Sequence, residues 1–247
     1  MRILGVIPAR YASTRFPAKP LIDIGGQSMI ERVYRQVKKS GSISKVIVAT
    51  DHHKICDQVI TFGGEVRLTS ESHASGTDRC FEVLTNEITK FDYVINIQGD
   101  EPFIAPKQID LLAALLDGKT ELATLAKKIE DREQLFNSNI VKIILDKNWN
   151  ALYFSRSAIP HLRNIAPDQW LRNHTFYKHV GMYAYRADIL EKITKLNMSS
   201  LEKAESLEQL RWLENGYSIK VAETMDETIG IDTPEDLEKA LLFLSKK

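Results

Sequence analysis

Residues 2–21 read RILGVIPARYASTRFPAKPL, an apolar run followed at once by a loop that holds Arg10, Arg15, Lys19, two prolines and the hydroxyls of Ser13 and Thr14. A continuous apolar run of this length reads as a strand covered on both faces. In an open parallel sheet, ligands gather at the carboxyl ends of the strands, where this loop begins. Guanidinium forks suit phosphate oxygens and a lysine adds a point charge. A pair of arginines alone would read as a solvated basic loop. Three cations with Ser13 and two stiffening prolines point to a phosphate-bearing ligand instead. The loop lacks GxGxxG and GxxxxGK[ST], which disfavours a dinucleotide oxidoreductase and a P-loop enzyme.

The rest of the chain gives that loop its context. Lys plus Arg and Asp plus Glu number 33 each in 247 residues, so the overall charge suggests neither a nucleic-acid coat nor a membrane surface. No apolar stretch approaches bilayer-spanning length, and the start of the chain lacks the pattern of a signal peptide. Cys56 and Cys80 lack metal-ligand spacing and read as free thiols of a reducing, cytoplasmic compartment.

Outward from residues 2–9 the pattern alternates. SMIERVYRQVKKS (28–40), KICDQVITFG (54–63) and GTDRCFEVLTNEIT (76–89) read as helices, and KVIVAT (45–50), EVRLT (65–69) and YVINIQ (93–98) as strands. This predicts an α/β fold with a mostly parallel sheet covered on both faces. Beyond about residue 120 the pattern changes. NIVKIILDKNWNALYFS (139–155) reads as a hairpin, FYKHVGMYAY (176–185) as an alternating strand and SLEKAESLEQLRWLENG (200–216) as one helix. HLRNIAPDQWLRNHT (161–175) reads as a mobile loop. The expectation is one domain over 1–247 with a β-rich extension at about 130–220.

Four further stretches carry candidate chemistry. In NIQGDEP (96–102), Asp100 stands just past a strand end, where it could hold a Mg²⁺ that neutralises a polyphosphate; on this motif alone a plain Asp-Glu-Pro turn is the better account. In GIDTPEDL (230–237), Thr233, Pro234 and Asp236 make a helix start, which leaves Asp232 as a second metal carboxylate or a solvated aspartate. SGTDR (75–79) opens a helix and suits an anion or a base, unless Ser75 or Thr77 simply caps. In KHVGMYAY (178–185), His179, Gly181, Tyr183 and Tyr185 share one face, which either lines a hydroxyl-rich pocket or is merely wet. Arg156 ends a strand in SRS (155–157), as a carboxylate partner or a surface arginine.

Together, IPARYASTRFPAKPL, VATDH, SGTDR, NIQGDEP, ALYFSRS, YKHVGMYAY, LEQLR and GIDTPEDL resemble the 3-deoxy-manno-octulosonate (Kdo) cytidylyltransferases, in the family's order and across nearly the whole chain. The resemblance implies a Rossmann-like nucleotidyltransferase fold, a homodimer formed through the β-rich extension, and Mg²⁺-dependent transfer of CMP from CTP to Kdo for lipopolysaccharide assembly. By position, Arg10, Ser13, Arg15 and Lys19 would cradle the triphosphate, and Ser75, Thr77 and Arg79 would lie near the cytidine. Asp100 and Asp232 would hold metal. Gln98, Arg156, His179, Tyr183, Glu208 and Gln209 would hold the sugar. Arg15, Lys19, Asp100 and Asp232 would serve the chemistry itself. Two residues depart from the family pattern. Ala18 replaces the usual glycine before the loop lysine, a change that is costly only if its φ is positive. Asp78 stands where many relatives have glutamate. Alternatives are a cytidylyltransferase for 8-amino-Kdo or a sialic acid, and a non-catalytic nucleotide or sugar binder.

Overall fold

The computed structural model describes residues 1–12, 16–227, 230–231 and 233–244. The chain divides into two compact units, Met1–Ala113 with Asp226–Lys247, and Ala114–Met225.

The first unit alternates strand and helix as its patterning predicts. Strands β1 (Ile3–Ala9), β2 (Lys45–Thr50), β3 (Val66–Leu68) and β4 (Tyr93–Asn96) pair in parallel in the order β3-β2-β1-β4. Helices α1 (Met29–Val37), α2 (His53–Thr61) and α3 (Gly76–Asn86) connect them, and α4 (Pro106–Ala113) follows β4. Leu4, Val6, Ile7, Ile47, Val48 and Ala49 have no exposure, the burial expected of strands covered on both faces. The first helices start on side-chain caps. The Ser28 hydroxyl accepts from the Glu31 N–H and opens α1, and His52 Nδ1 accepts from the Lys54 N–H at the mouth of α2.

The second unit is built around β5 (Leu122–Lys128), which the hydrophobic pattern of the sequence does not single out. After the short helix α5 (Arg132–Phe136) come β6 (Lys142–Leu145) and β7 (Ala151–Ser155), antiparallel as the hairpin reading requires. The segment 161–175 differs from expectation. It contains α6 (Trp170–Asn173), and Trp170 is buried with Ile129, Leu135 and Phe176. Leu162, Ile165 and Leu171 pack against that cluster, so widely spaced apolar residues anchor what reads as a polar loop.

Strand β8 (Tyr177–Arg186) runs antiparallel to β5 and β6. Helices α7 (Ala187–Ile193), α8 (Ser200–Glu205) and α9 (Gln209–Glu214) follow, and β9 (Ile219–Glu223) lies parallel to β5. Two expectations fail here. The helix expected over 200–216 is two helices, because Ser206 adopts φ 53°, ψ 48° and breaks the helical path. The buried pair between Arg211 and Glu202, with N···O distances of 2.7 and 2.6 Å, locks α9 onto α8 across that break. In β8, Thr124 faces Tyr183 but Leu125 faces Val180, so Gly181 and Met182 form a bulge, and the rings of His179, Tyr183 and Tyr185 still adjoin along one face, 5.0 and 6.1 Å apart. Tyr183 and Tyr185 are buried, both edge-on to Trp212. The polar-aromatic face expected of that strand is largely core.

The chain returns to the first unit in α10 (Pro234–Leu244). Thr233 and Asp236 exchange side-chain and backbone hydrogen bonds of 3.1 and 3.3 Å, the helix start read from the sequence.

Candidate active site

In the first unit, the loop after β1 is tied at both ends. The Arg10 guanidinium donates to the His73 carbonyl at 2.5 Å, and the Ala18 N–H donates to the Tyr11 carbonyl at 3.0 Å. Ala18 closes that turn with φ 55° and ψ 22°. This is the left-handed conformation in which a Cβ costs about 1 kcal/mol or more, so the glycine-to-alanine departure falls where it carries strain. Ser13 and Arg15 lie outside the described residues.

Lys19 starts the 3₁₀ turn that follows, and its Nζ stands 2.7 Å from Oδ2 of Asp100. Two motifs 81 positions apart in sequence therefore meet at the strand ends. Gly99 makes the approach possible, because a Cβ there would lie 2.7 Å from the Pro8 carbonyl oxygen. The third motif joins them through its backbone: the Ile231 N–H donates to the Asp100 carbonyl at 3.0 Å. Asp232 itself lies outside the described residues. Half-buried Glu101 is pushed up to about 7 by burial and then by the neighbouring Asp100 charge. Gln98, which the family resemblance places on the sugar, is half-buried just past the end of β4.

The SGTDR stretch does mainly local work. Ser75 caps α3, accepting from the Asp78 N–H at 3.1 Å, while the Asp78 carboxylate accepts from the Ser75 N–H at 3.1 Å. Asp78 thus closes a capping box, a task its shorter side chain performs fully. Thr77 is buried. Arg79 has no exposure; it donates to Thr69 Oγ1 at 2.5 Å and to Asp51 Oδ2 at 2.6 Å. Burial lowers its pKa, against the pull of Asp51.

Asp51 has no role in the sequence reading beyond its place in VATDH. It connects Arg79 to the phosphate-type loop, since its Oδ1 accepts from the Tyr11 N–H at 3.2 Å. The Tyr11 and His52 rings stack at 3.8 Å beside it. A cation and a carboxylate far apart in sequence give no local pattern by which this brace could be read.

The second unit holds the other candidates for the sugar. His179 Nε2 lies 2.9 Å from Thr124 Oγ1, and burial drives its pKa down to about 3, so the imidazole is neutral near pH 7. The Tyr183 hydroxyl is buried without a hydrogen-bond partner among the described residues, and burial raises its pKa well above the ordinary value. Glu208 and Gln209 begin α9, just past the Ser206 break. Arg156 donates from Nε to the Glu205 carbonyl at 2.8 Å, and from its terminal nitrogens to the Ser138 and Ser206 carbonyls at 3.2 and 3.4 Å.

No group of three or more His, Cys, Asp or Glu side chains suited to a metal occurs among the described residues. Asp100 nevertheless suits Mg²⁺. Its carboxylate is partly exposed and already receives a cation from Lys19, and Mg²⁺ usually takes one or two carboxylates with substrate phosphates supplying the rest.

The family described as Cytidylyltransferase matches residues 4–239. A 3-deoxy-manno-octulosonate cytidylyltransferase of Cytophaga hutchinsonii is 59% identical over 95% of this chain and 94% of its own. One of Parabacteroides distasonis is 55% identical over 100% of both chains. A solved structure of CMP:2-keto-3-deoxy-manno-octonic acid synthetase complexed with CTP superposes with a TM-score of 0.92 at 39% identity, covering 100% of this chain and 99% of that one. Parallel α/β architecture, a cationic loop joined to Asp100 at the strand ends and full-length likeness agree: the chain belongs to the 3-deoxy-manno-octulosonate cytidylyltransferase family.

Proposed function

We propose that this enzyme transfers the cytidylyl group of CTP to the anomeric hydroxyl of Kdo, giving CMP-Kdo and pyrophosphate for lipopolysaccharide assembly. It works in the cytoplasm as a Mg²⁺-dependent homodimer. The observation that carries the reading is the 2.7 Å contact between Lys19 and Asp100 at the strand ends, where a cation for phosphate and a carboxylate for metal stand together.

The reaction is a displacement at phosphorus. The anomeric oxygen forms a bond to the α-phosphorus, the bond to the pyrophosphate oxygen breaks, and the hydroxyl proton leaves to solvent. Such a reaction needs positioning and charge neutralisation more than a protein nucleophile. Arg10, Arg15 and Lys19 meet the negative charge of the triphosphate, with Lys19 released from Asp100 to do so, and Ser13 adds a donor. Ser75, Thr77 and Arg79 shape the nucleoside end, the last two from buried positions. Asp100 and Asp232 hold Mg²⁺, which when bound neutralises phosphate charge and acidifies the attacking hydroxyl. Neutral His179, the unsatisfied Tyr183 hydroxyl, Gln98, Glu208 and Gln209 offer hydrogen bonds to the sugar hydroxyls, and Arg156 faces its carboxylate.

The test is pyrophosphate release from CTP with Kdo, 8-amino-Kdo or a sialic acid, with Mg²⁺ or with excess chelator. Release with Kdo that the chelator abolishes is the expected result. Release only with another sugar keeps the chemistry and changes the substrate. Silence in every well while CTP still binds makes the chain a binder. Sedimentation of the purified protein as a monomer would remove the homodimer from the proposal.

A further inference from the structure

Lys142 is a buried ionisable group that the reaction above does not use. It has no exposure, and among the described residues no carboxylate stands within ion-pair distance of it. Its ammonium donates instead to three main-chain carbonyls, Asn137 at 2.9 Å, Ile140 at 2.5 Å and Arg156 at 2.6 Å. A buried charge bonded directly to neutral carbonyls alone is expensive. The expense is accounted for if the carbonyls it gathers must stay where they are.

The register shows what they hold. Lys142 lies opposite Ser155 on β7 and opposite Lys178 on β8, one residue away from Arg156 and from His179. Arg156 is then gripped at every main-chain polar atom. Its carbonyl accepts from Lys142, and its N–H donates to Glu205 Oε2 at 2.9 Å. Glu205 is itself set by the Ser155 hydroxyl at 2.7 Å, and its carbonyl receives Arg156 Nε. The Asn137–Ile140 turn that Lys142 clamps also presents the Ser138 carbonyl to the Arg156 guanidinium. Each terminal guanidinium nitrogen carries two N–H groups and spends one on a carbonyl, which leaves a fork for a carboxylate. Lys142 and Arg156 against the single carboxylate of Glu205 leave this corner with positive charge in excess.

We propose that Lys142 and Glu205 are positioning residues for the sugar-acid substrate, acting through Arg156: they fix its backbone and the plane of its guanidinium so that its free fork meets the sugar's carboxylate. The inference rests on the cytidylyltransferase reading, in which Arg156 holds the sugar acid. Neither residue touches substrate.

The test is steady-state kinetics with CTP and Kdo varied separately, on the full chain carrying Lys142→Met, Glu205→Gln or Arg156→Ala, and on the double variants. Loss of one hydrogen bond to a charged group predicts a KM for Kdo raised roughly 10-fold or more, with the KM for CTP unchanged within about twofold. In the Arg156→Ala background, Lys142→Met and Glu205→Gln should add nothing further. A lowered melting temperature with both KM values unchanged would make the pair merely structural and overturn the proposal. So would additive losses in the double variants. Should Lys142→Met not fold, the isosteric Glu205→Gln decides, and an unaltered KM for Kdo there overturns it equally. Wild-type turnover in the same assay separates this inference from the functional reading. An inactive wild type sinks both, and an active one with unaffected variants sinks only this.

Discussion

Lys19 and Lys142 are held in opposite ways. Lys19 stands at the strand ends of the first unit, partly exposed, 2.7 Å from a carboxylate that is itself about a third exposed. Lys142 is sealed in the second unit and held by three carbonyls. The first contact is exchangeable. Water screens it, and a phosphate or a metal ion can replace either partner at little cost. The second is not, because removing the ammonium would strand three buried acceptors. On the proposed function, ligand-handling charge thus sits where it can change partners, and scaffold charge where it cannot.

The largest test of that contrast is Asp100→Asn. On the proposed role of Asp100 in the transition state, kcat should fall by about 10²–10³-fold, with a melting temperature close to wild type because the contact is exchangeable. A large fall in thermal stability would show that the Lys19–Asp100 contact is scaffold after all, and the contrast would fail.

Gly99→Ala comes next. The added Cβ would meet the Pro8 carbonyl oxygen at 2.7 Å, a backbone clash that no side-chain rotation relieves. A destabilisation of about 1–3 kcal/mol is expected, with kcat falling as Asp100 is displaced from Lys19. Chemical denaturation beside initial rates measures both, and an unperturbed variant would mean that the two strand ends are not in contact.

Acid tests the second unit. Burial holds the His179 imidazole at about 3, against an ordinary 6.5. Between those values the unfolded chain takes a proton that the folded chain refuses, so stability should fall as pH drops through that window. His179→Gln should flatten this part of the profile, measured as denaturation midpoints at pH 7.5, 6, 5 and 4. Parallel wild-type and variant curves would show that the imidazole is not withheld from water.

The smallest effect is expected at Ala18. With φ at 55°, Ala18→Gly should relieve about 1 kcal/mol, part of which is lost to the freer unfolded chain. A rise of about 1–3 °C in melting temperature follows for a chain of this size. A lowered melting temperature would mean that the turn is not left-handed there.

The legibility of the two units follows from the range of the interactions that build them. Strands β1, β2 and β4 are continuous apolar runs, and caps such as Ser28, Ser75 and Thr233 act within three residues of themselves, so both can be read from local sequence. The bulge at Gly181–Met182 and the anchoring of Trp170 depend on partners far along the chain, and the Ser206 break is a left-handed serine with no glycine to mark it. Local periodicity predicts one helix, one plain alternating strand and one loose loop in their places. Lys19 and Asp100 read from the sequence as sharing the strand-end rim, and the structure adds their direct contact at 2.7 Å. Arg79 and Arg156 looked like ligand cations, but most of their hydrogen bonds go to protein atoms.

By itself, then, the sequence determined the parallel α/β layout of the first unit, its helix starts, the cationic loop and the family, because each rests on composition, period or a motif a few residues long. Tertiary structure alone decided which charges are spent inside the protein and which stay at a rim that can exchange partners. That division depends on burial and on carbonyls brought together from distant segments, and desolvation has no signature in a single stretch of chain.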